Sequence, residues 1–329
     1  MSVVLDFERP AAEIRTKLDA IEKQYAANPT PELDAQRIDL RRDFANRTQA
    51  IYRALSPWQT VQVARHPLRP QTMDYAMGMC TDFVEFHGDR VFGDDRAIVG
   101  GPARIDGRPV MLVGQHRGRE TRERVERNFG SPHPEGYRKA HRLFELAEKF
   151  GMPVVTLMDT PGASPGLGDE ERGQGWALAA NLATLATLRV PVVCVVIGEG
   201  NSGGALAIGV GDRFLMLEHS IFSVASPEAA ASIVWKDAKF APQAADALKL
   251  TAPDLLRLNL IDRIISEPVG GAHADPSAMI ATLRSTVAGE ISRLETIPTE
   301  RLVSDRYEKY RRLGSWFETA PPATPVGSV

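Results

Sequence analysis

The sequence predicts an α/β fold, a layered core of buried strands joined by crossover helices. Pro109-Val-Met-Leu-Val-Gly114, Pro153-Val-Val-Thr-Leu-Met-Asp159 and Pro191-Val-Val-Cys-Val-Val-Ile-Gly198 repeat one pattern. Each is a proline followed by a short apolar, largely β-branched run. Proline is tolerated as the first residue of a strand, and a continuous apolar run marks a strand buried on both faces. The stretches between them, residues 137–150 and 176–188, read as helices, the first closed by Gly151.

The remaining elements follow in order. Ile14, Leu18, Ile21 and Tyr25 fall at helical spacing, as do Leu33, Leu40, Phe44, Ile51 and Leu55. Asn28-Pro29-Thr30-Pro31 separates the two sets, with Thr30 placed to cap the second helix and Pro31 in its first turn. Residues 1–57 are therefore expected to form a helical hairpin arm, packing on the rest or on a partner. Residues 214–217 and 221–224 read as further strands of a core spanning 58–265. Residues 278–294 and 301–313 read as helices of a C-terminal region, 266–318. Pro321, Pro322 and Pro325 mark 319–329 as a disordered tail.

Composition narrows the function. Hydrophobic residues make up 43% and charged residues 25% of the 329, as in ordinary soluble domains. The net charge of −3 gives no basic excess for nucleic acid or a membrane surface. Two cysteines, Cys80 and Cys194, exclude a four-cysteine zinc site and a disulfide framework. Cys194 lies in an apolar run and is expected to be a buried thiol. No apolar stretch approaches the ~18 residues of a membrane span. The first ten residues carry acids and lack a long apolar segment, unlike a signal peptide. The expected location is the cytoplasm.

Gly198-Glu-Gly-Asn-Ser-Gly-Gly-Ala205 follows a strand and opens a helix, and it admits four readings. Gly198, Gly200 and Gly203 spell a dinucleotide fingerprint, with Glu218 as the ribose carboxylate. The helix room before Asp212 is short for that. Gly200, Ser202 and Gly204 spell a nucleophile elbow. There the apolar run ends at Ile197, four residues early, and Asp212, His219 and His273 have no fixed triad order. The third reading is a turn that needs glycine only for backbone geometry. The fourth is an oxyanion hole, because amides at a helix N-terminus lack intrahelical partners and the dipole favours negative charge. A second turn, Asp159-Thr-Pro-Gly-Ala-Ser-Pro-Gly166, follows the preceding strand. Two such turns at the ends of consecutive buried strands face one crevice, where open α/β sheets bind ligands.

Asp159-Thr-Pro-Gly162, Pro165-Gly166, Glu170-Glu-Arg-Gly173 and the glycine turn together resemble the carboxyltransferase α subunits of bacterial acetyl-CoA carboxylase. So do Gly118-Arg-Glu-Thr121, Arg127-Asn-Phe-Gly130 and Pro134-Glu-Gly-Tyr-Arg-Lys-Ala140. Leu5-Asp-Phe-Glu8, Arg65-His-Pro67, Glu267-Pro268 and Gly270-Gly-Ala-His273 extend the resemblance over about 5–313. Asn201 departs from it, standing where the family often has glycine, and its side chain is expected to narrow the turn.

The resemblance implies a crotonase-like fold of repeated ββα units. It implies transfer of a carboxyl group from carboxybiotin, carried on the biotin carboxyl carrier protein, to acetyl-CoA. The product is malonyl-CoA, for fatty acid synthesis. It implies a zinc-containing β subunit supplying the acetyl-CoA side, a biotin carboxylase, and an α2β2 assembly. No metal is expected in this chain. Gly203 and Gly204 are then the oxyanion hole for biotin. Asp159, Pro161, Gly162, Ala163, Gly200, Ser202 and Ala205 shape its pocket. Asp159 is expected to hold its own loop by accepting backbone N–H bonds. A branched side chain at Gly204 is expected to obstruct the approach of biotin and to distort the turn. Glu199 and Glu228 are not required as bases, since the biotin anion itself accepts a proton. Residues 117–127 hold five arginines and three glutamates. They read either as a solvated ion-paired helix face or as a wall for CoA phosphates or the β subunit, through Arg117, Arg119 and Arg122. His116, His133 and His273 have no ligand spacing. Tyr137, Arg138 and Lys139 read as scaffold. Two alternatives remain: a self-sufficient acyl-CoA hydratase or isomerase using Glu199 and Glu228, and a non-catalytic scaffold of a biotin complex.

Overall fold

Each proline-led run is a strand. The computed structural model describes residues 3–314, and the tail expected at 319–329 lies outside them. The strands are β1 (Ile98–Ile105), β2 (Arg108–Gln115), β3 (Val154–Thr160), β4 (Val192–Asn201), β5 (Arg213–Leu217), β6 (Ile221–Ser223) and β7 (Arg263–Ile265). They form one sheet in the order β1-β2-β3-β4-β5-β7, with β6 added alongside the end of β4. β1 and β2 pair antiparallel, and every later pair is parallel.

The helices are α1 (Arg9–Ala27), α2 (Pro31–Arg53), α3 (Pro57–Ala64), α4 (Thr72–Met79), α5 (Thr121–Glu126), α6 (Pro134–Phe150) and α7 (Leu167–Glu171). There follow α8 (Gln174–Thr187), α9 (Ser202–Leu206), α10 (Pro227–Trp235), α11 (Ala241–Leu248), α12 (Ala252–Arg257), α13 (Pro276–Leu294) and α14 (Thr299–Arg311). The apolar runs are continuous because both sheet faces are covered. Val192, Cys194 and Val196 pack toward Leu143 and Phe144 of α6 and Leu185 of α8. Val193, Val195 and Ile197 pack toward Tyr75 and Met79 of α4 and Leu283 and Val287 of α13. The helix α13 is thus one layer of the core rather than an appendage. Buried Arg306 of α14 pairs with Asp212 and donates to the carbonyls of Leu185, Leu188 and Val190.

The sequence pattern missed β1 and β7. β1 carries Gly100, Gly101 and Pro102 at its centre, which hide its periodicity. Gly101 is needed because a Cβ there would overlap the Val84 carbonyl. β7 is only three residues long, too short to show a pattern.

α1 and α2 pack against each other, with Thr30 Oγ1 accepting the Leu33 N–H at the start of α2 to make a hairpin. Of its seam only Leu18 is deeply buried. The hairpin is anchored at its base, where the Tyr52 hydroxyl donates to Glu8 and the Tyr52 ring meets His219 edge-on. Beside it His66 stacks on His273, ring centroids 3.7 Å apart. Burial, then the neighbouring His66, pushes His273 down to about 3, and burial pushes His116 down to about 4. Both lie below the ordinary value near ~6.5. The unfolded chain therefore takes these protons first, and stability present above pH ~6.5 declines as the pH falls toward 4. The thermal midpoint should fall across that window, and His273→Asn should flatten the slope. An unchanged slope would refute this account.

Candidate active site

The two turns meet because β3 and β4 are neighbours. Their register shifts between Met158 and Thr160, so that Thr160 sits opposite Gly200. Both turns then open on the same side of the sheet. Pro161, Gly162 and Ala163 line one wall of a cleft of about 250 Å³, and Ser202, Gly203 and Gly204 line another. Leu178 of α8 and Val224, Ala225, Ser226 and Ala229 beside and within α10 close it with mostly apolar surface. Among the described residues, nothing accepts from the N–H groups of Gly203 or Gly204, at the second and third positions of α9. The Gly204 carbonyl accepts from Gln115 Nε2 at 2.7 Å and from the Tyr137 hydroxyl at 3.1 Å. Gln115 Oε1 also accepts the Asp159 N–H at 3.1 Å. One buried amide side chain thereby ties both turns together.

β4 runs through Asn201, so Ser202 follows the strand directly, with φ at 58°. This corrects the expectation of four intervening residues. A left-handed backbone costs a non-glycine residue ~1 kcal/mol or more, and an elbow has that strain. The expected triad partners are engaged elsewhere all the same. Asp212 is spent on Arg306, His219 faces Tyr52 and His273 stacks on His66. The dinucleotide reading fails on α9, which has five residues.

Behind the cleft lies an ion-paired cluster. Arg117 reaches Glu199 Oε2 at 2.6 Å and Asp159 Oδ1 at 3.0 Å. Arg65 donates to both Glu199 oxygens, at 3.1 and 2.6 Å, and to Glu228 at 2.6 Å. Asn201 Nδ2 donates to Glu199 Oε1 at 2.7 Å. Burial pushes Glu199 up, but Arg117 and Arg65 overcome it and hold the carboxyl below its usual range. Burial leaves Asp159 raised despite Arg117. Asp159 Oδ1 accepts the Glu199 N–H, so it pins the neighbouring strand and not its own loop, contrary to expectation. The Asn201 side chain points at Glu199 and is fully buried, so it does not narrow the turn.

Three expected pocket residues lie outside the cleft lining. Asp159 is in the ion-paired cluster, Gly200 packs under Phe222, and Ala205 belongs to the core. The arginines separate as well. Arg117 is committed to Glu199 and Asp159, Arg119 pairs with Asp74, and Arg122 is exposed beside Glu126. Only the last of these is the solvated helix-face pairing. Sequence reasoning gave Arg65 no role and read Tyr137 as scaffold. His133, Glu135 and Asp169 bring ligand-type atoms within 4.8 Å of one another. Arg172 binds both carboxylates and Ser164 donates to Asp169, so the trio is already satisfied.

Residues 4–314 match the family model described as acetyl co-enzyme A carboxylase carboxyltransferase-like. The chain belongs to this family. A relative from Xanthomonas campestris pv. campestris, named acetyl-coenzyme A carboxylase carboxyl transferase subunit alpha, is 53% identical, covering 95% of this chain and 98% of its own. Transcarboxylase 12S with methylmalonyl-coenzyme A bound superposes with a TM-score of 0.56 at 20% identity. That match covers 68% of this chain and 41% of the other. A Pseudomonas malonate decarboxylase hetero-tetramer in complex with coenzyme A gives 0.58 at 16% identity, covering 74% of this chain and 97% of that one. The fold is crotonase-like. No helix among the described residues is long and apolar enough to cross a membrane.

Proposed function

We propose that this chain is the α half of an acetyl-CoA carboxylase carboxyltransferase, binding the biotin side of the reaction. The observation that carries the reading is the pair of Gly203 and Gly204 amides, without an acceptor among the described residues, in the lining of a small cleft. Carboxybiotin, delivered by the biotin carboxyl carrier protein, supplies the carboxyl group and is left with negative charge on its ureido oxygen. The two amides are the donors that would take that charge, at the first turn of α9. Gln115 and Tyr137 hold Gly204 in place, so little reorganisation accompanies the charge. The cleft volume is below the ~300–1,000 Å³ of pockets for drug-sized ligands, which suits one small ring system and not acetyl-CoA as well. Acetyl-CoA would then be held by a β subunit, which also brings any zinc. A biotin carboxylase reloads the carrier, and the setting is the cytoplasm.

A self-sufficient hydratase needs a carboxylate in the cleft. Glu199 and Glu228 are both turned away, bound to Arg65, and neither lines it. Exposed apolar residues lie on the elements that line the cleft: Trp176 on α8, Val224 before α10, and Ile233 and Val234 on α10. A covering β subunit excludes the water that would weaken the amide donors. An obligate contact of this kind buries more than ~2,000 Å². The test is a titration of the purified chain with β in the presence of acetyl-CoA and carboxylated carrier. Malonyl-CoA formation should be absent without β and rise in step with a mixed oligomer, two of each chain. Turnover by the chain alone, enoyl-CoA hydration by it, or full activity of β without it would overturn the reading.

A further inference from the structure

We propose that Arg65 is a positioning residue for the cleft: its guanidinium ties α10, one wall, to the strand end that carries the glycine turn. The inference rests on reading the cleft as the biotin side. Arg65 caps the C-terminus of α3 and sends its fork between two carboxylates. Nε and Nη2 engage Glu199, which is 1% exposed and lies three residues before Ser202 on β4. Nη1 and Nη2 engage Glu228 in the first turn of α10, at 2.6 and 3.2 Å. Ser226 and Ala229, on either side of Glu228, line the cleft opposite Gly203 and Gly204.

The rest of α10 is weakly held. Only Pro227 and Ala231 are buried in it, and Ile233, Val234 and Trp235 of its last turn face outward. Its packing is against α11 and the short 238–240 turn rather than the sheet. The fork is therefore the polar link between this wall and the turn it faces. Glu199 keeps Arg117 and Asn201 when Arg65 or Glu228 is changed. Glu228 has Arg65 alone as a cationic partner among the described residues. Removing the Glu228 carboxylate thus frees α10 without stripping Glu199. A lysine at 65 keeps the charge but cannot span two carboxylates with a rigid fork.

The test uses the reconstituted complex with β, run in reverse, with malonyl-CoA donating its carboxyl group to free biotin. Glu228→Ala should raise KM for biotin about fivefold, the upper range for one partly exposed charged contact. KM for malonyl-CoA and kcat should stay within about twofold. Arg65→Lys should behave like Glu228→Ala. Glu228→Gln should recover most of the loss, because its amide oxygen still accepts from Nη1. Amide hydrogen exchange over 227–235 in the full chain should quicken in Glu228→Ala and be restored in Glu228→Gln. Unchanged exchange, or equal shifts in both KM values, would overturn the tie. Quickened exchange beside an inactive wild-type complex would uphold the tie and overturn the half-site reading.

Discussion

Gly204→Ala is expected to lower carboxyl transfer by ~10²–10³-fold, whereas Gly203→Ala costs less than about tenfold. The two glycines look equivalent in sequence but meet different surroundings. A Cβ at Gly204 would overlap the Ala163 amide and stand 2.6 Å from the Gly162 carbonyl carbon. Backbone cannot give way as a side chain can, so the two turns must separate. The Gly203–Gly204 amides then lose their aim, and one lost oxyanion donor costs ~2.7–4 kcal/mol. A Cβ at Gly203 meets only Leu178 Cδ1, at 3.4 Å, the end of a flexible side chain. Of the two effects expected from the sequence, obstruction and distortion of the turn, the Gly204 surroundings support distortion. A Cβ at 204 is directed at the facing turn and would push it away. The measurement is malonyl-CoA formation by the α–β complex, with circular dichroism and complex mass as controls. Equal losses in both variants, or normal turnover by Gly204→Ala, would remove the asymmetry and the amide role with it.

Much of this site was legible because it is written locally. A strand buried on both faces leaves an unbroken apolar run, and a tight turn leaves prolines and glycines in order. Hence β3, β4 and both turns could be read before their meeting was seen. The ion-paired cluster could not. Arg117 lies 82 residues from Glu199, and Arg65 lies 134 from it. Residues 117–127 read as one charged helix face, yet α5 begins only at Thr121, and Arg117 lies before it in the connection from β2. Glu199 sits inside the glycine turn motif, where its neighbours suggest catalysis. Its partners show a structural charge instead. Local pattern sets the backbone, but pairing of buried charges is a property of the sheet order, which brings β2, β3 and β4 side by side.

Arg117→Met should therefore destabilise the chain by roughly 3 kcal/mol near pH 8, and by less near pH 5.5. Removing one partner of a buried pair costs roughly 3–5 kcal/mol, and the low end applies because Arg65 still holds Glu199. Asp159 loses more. Burial already raises its carboxyl, and Arg117 is the leading opposing influence. Without Arg117 the folded carboxyl rises further above its unfolded value. Between those two values the folded state binds the extra proton, so stability in the variant falls as the pH rises through that window. The deficit against wild type should accordingly shrink on acidification. Titration of the buried histidines is common to both proteins and cancels in the difference. Arg117→Lys keeps a cation beside Asp159 and should restore more than half of the loss at pH 8, though a single ammonium cannot reach both carboxylates as the guanidinium does. Urea midpoints of the three proteins at both pH values decide the matter. A deficit that does not change with pH would mean that Asp159 is not the group left uncompensated, and a variant as stable as wild type would mean that the cluster contributes no stability.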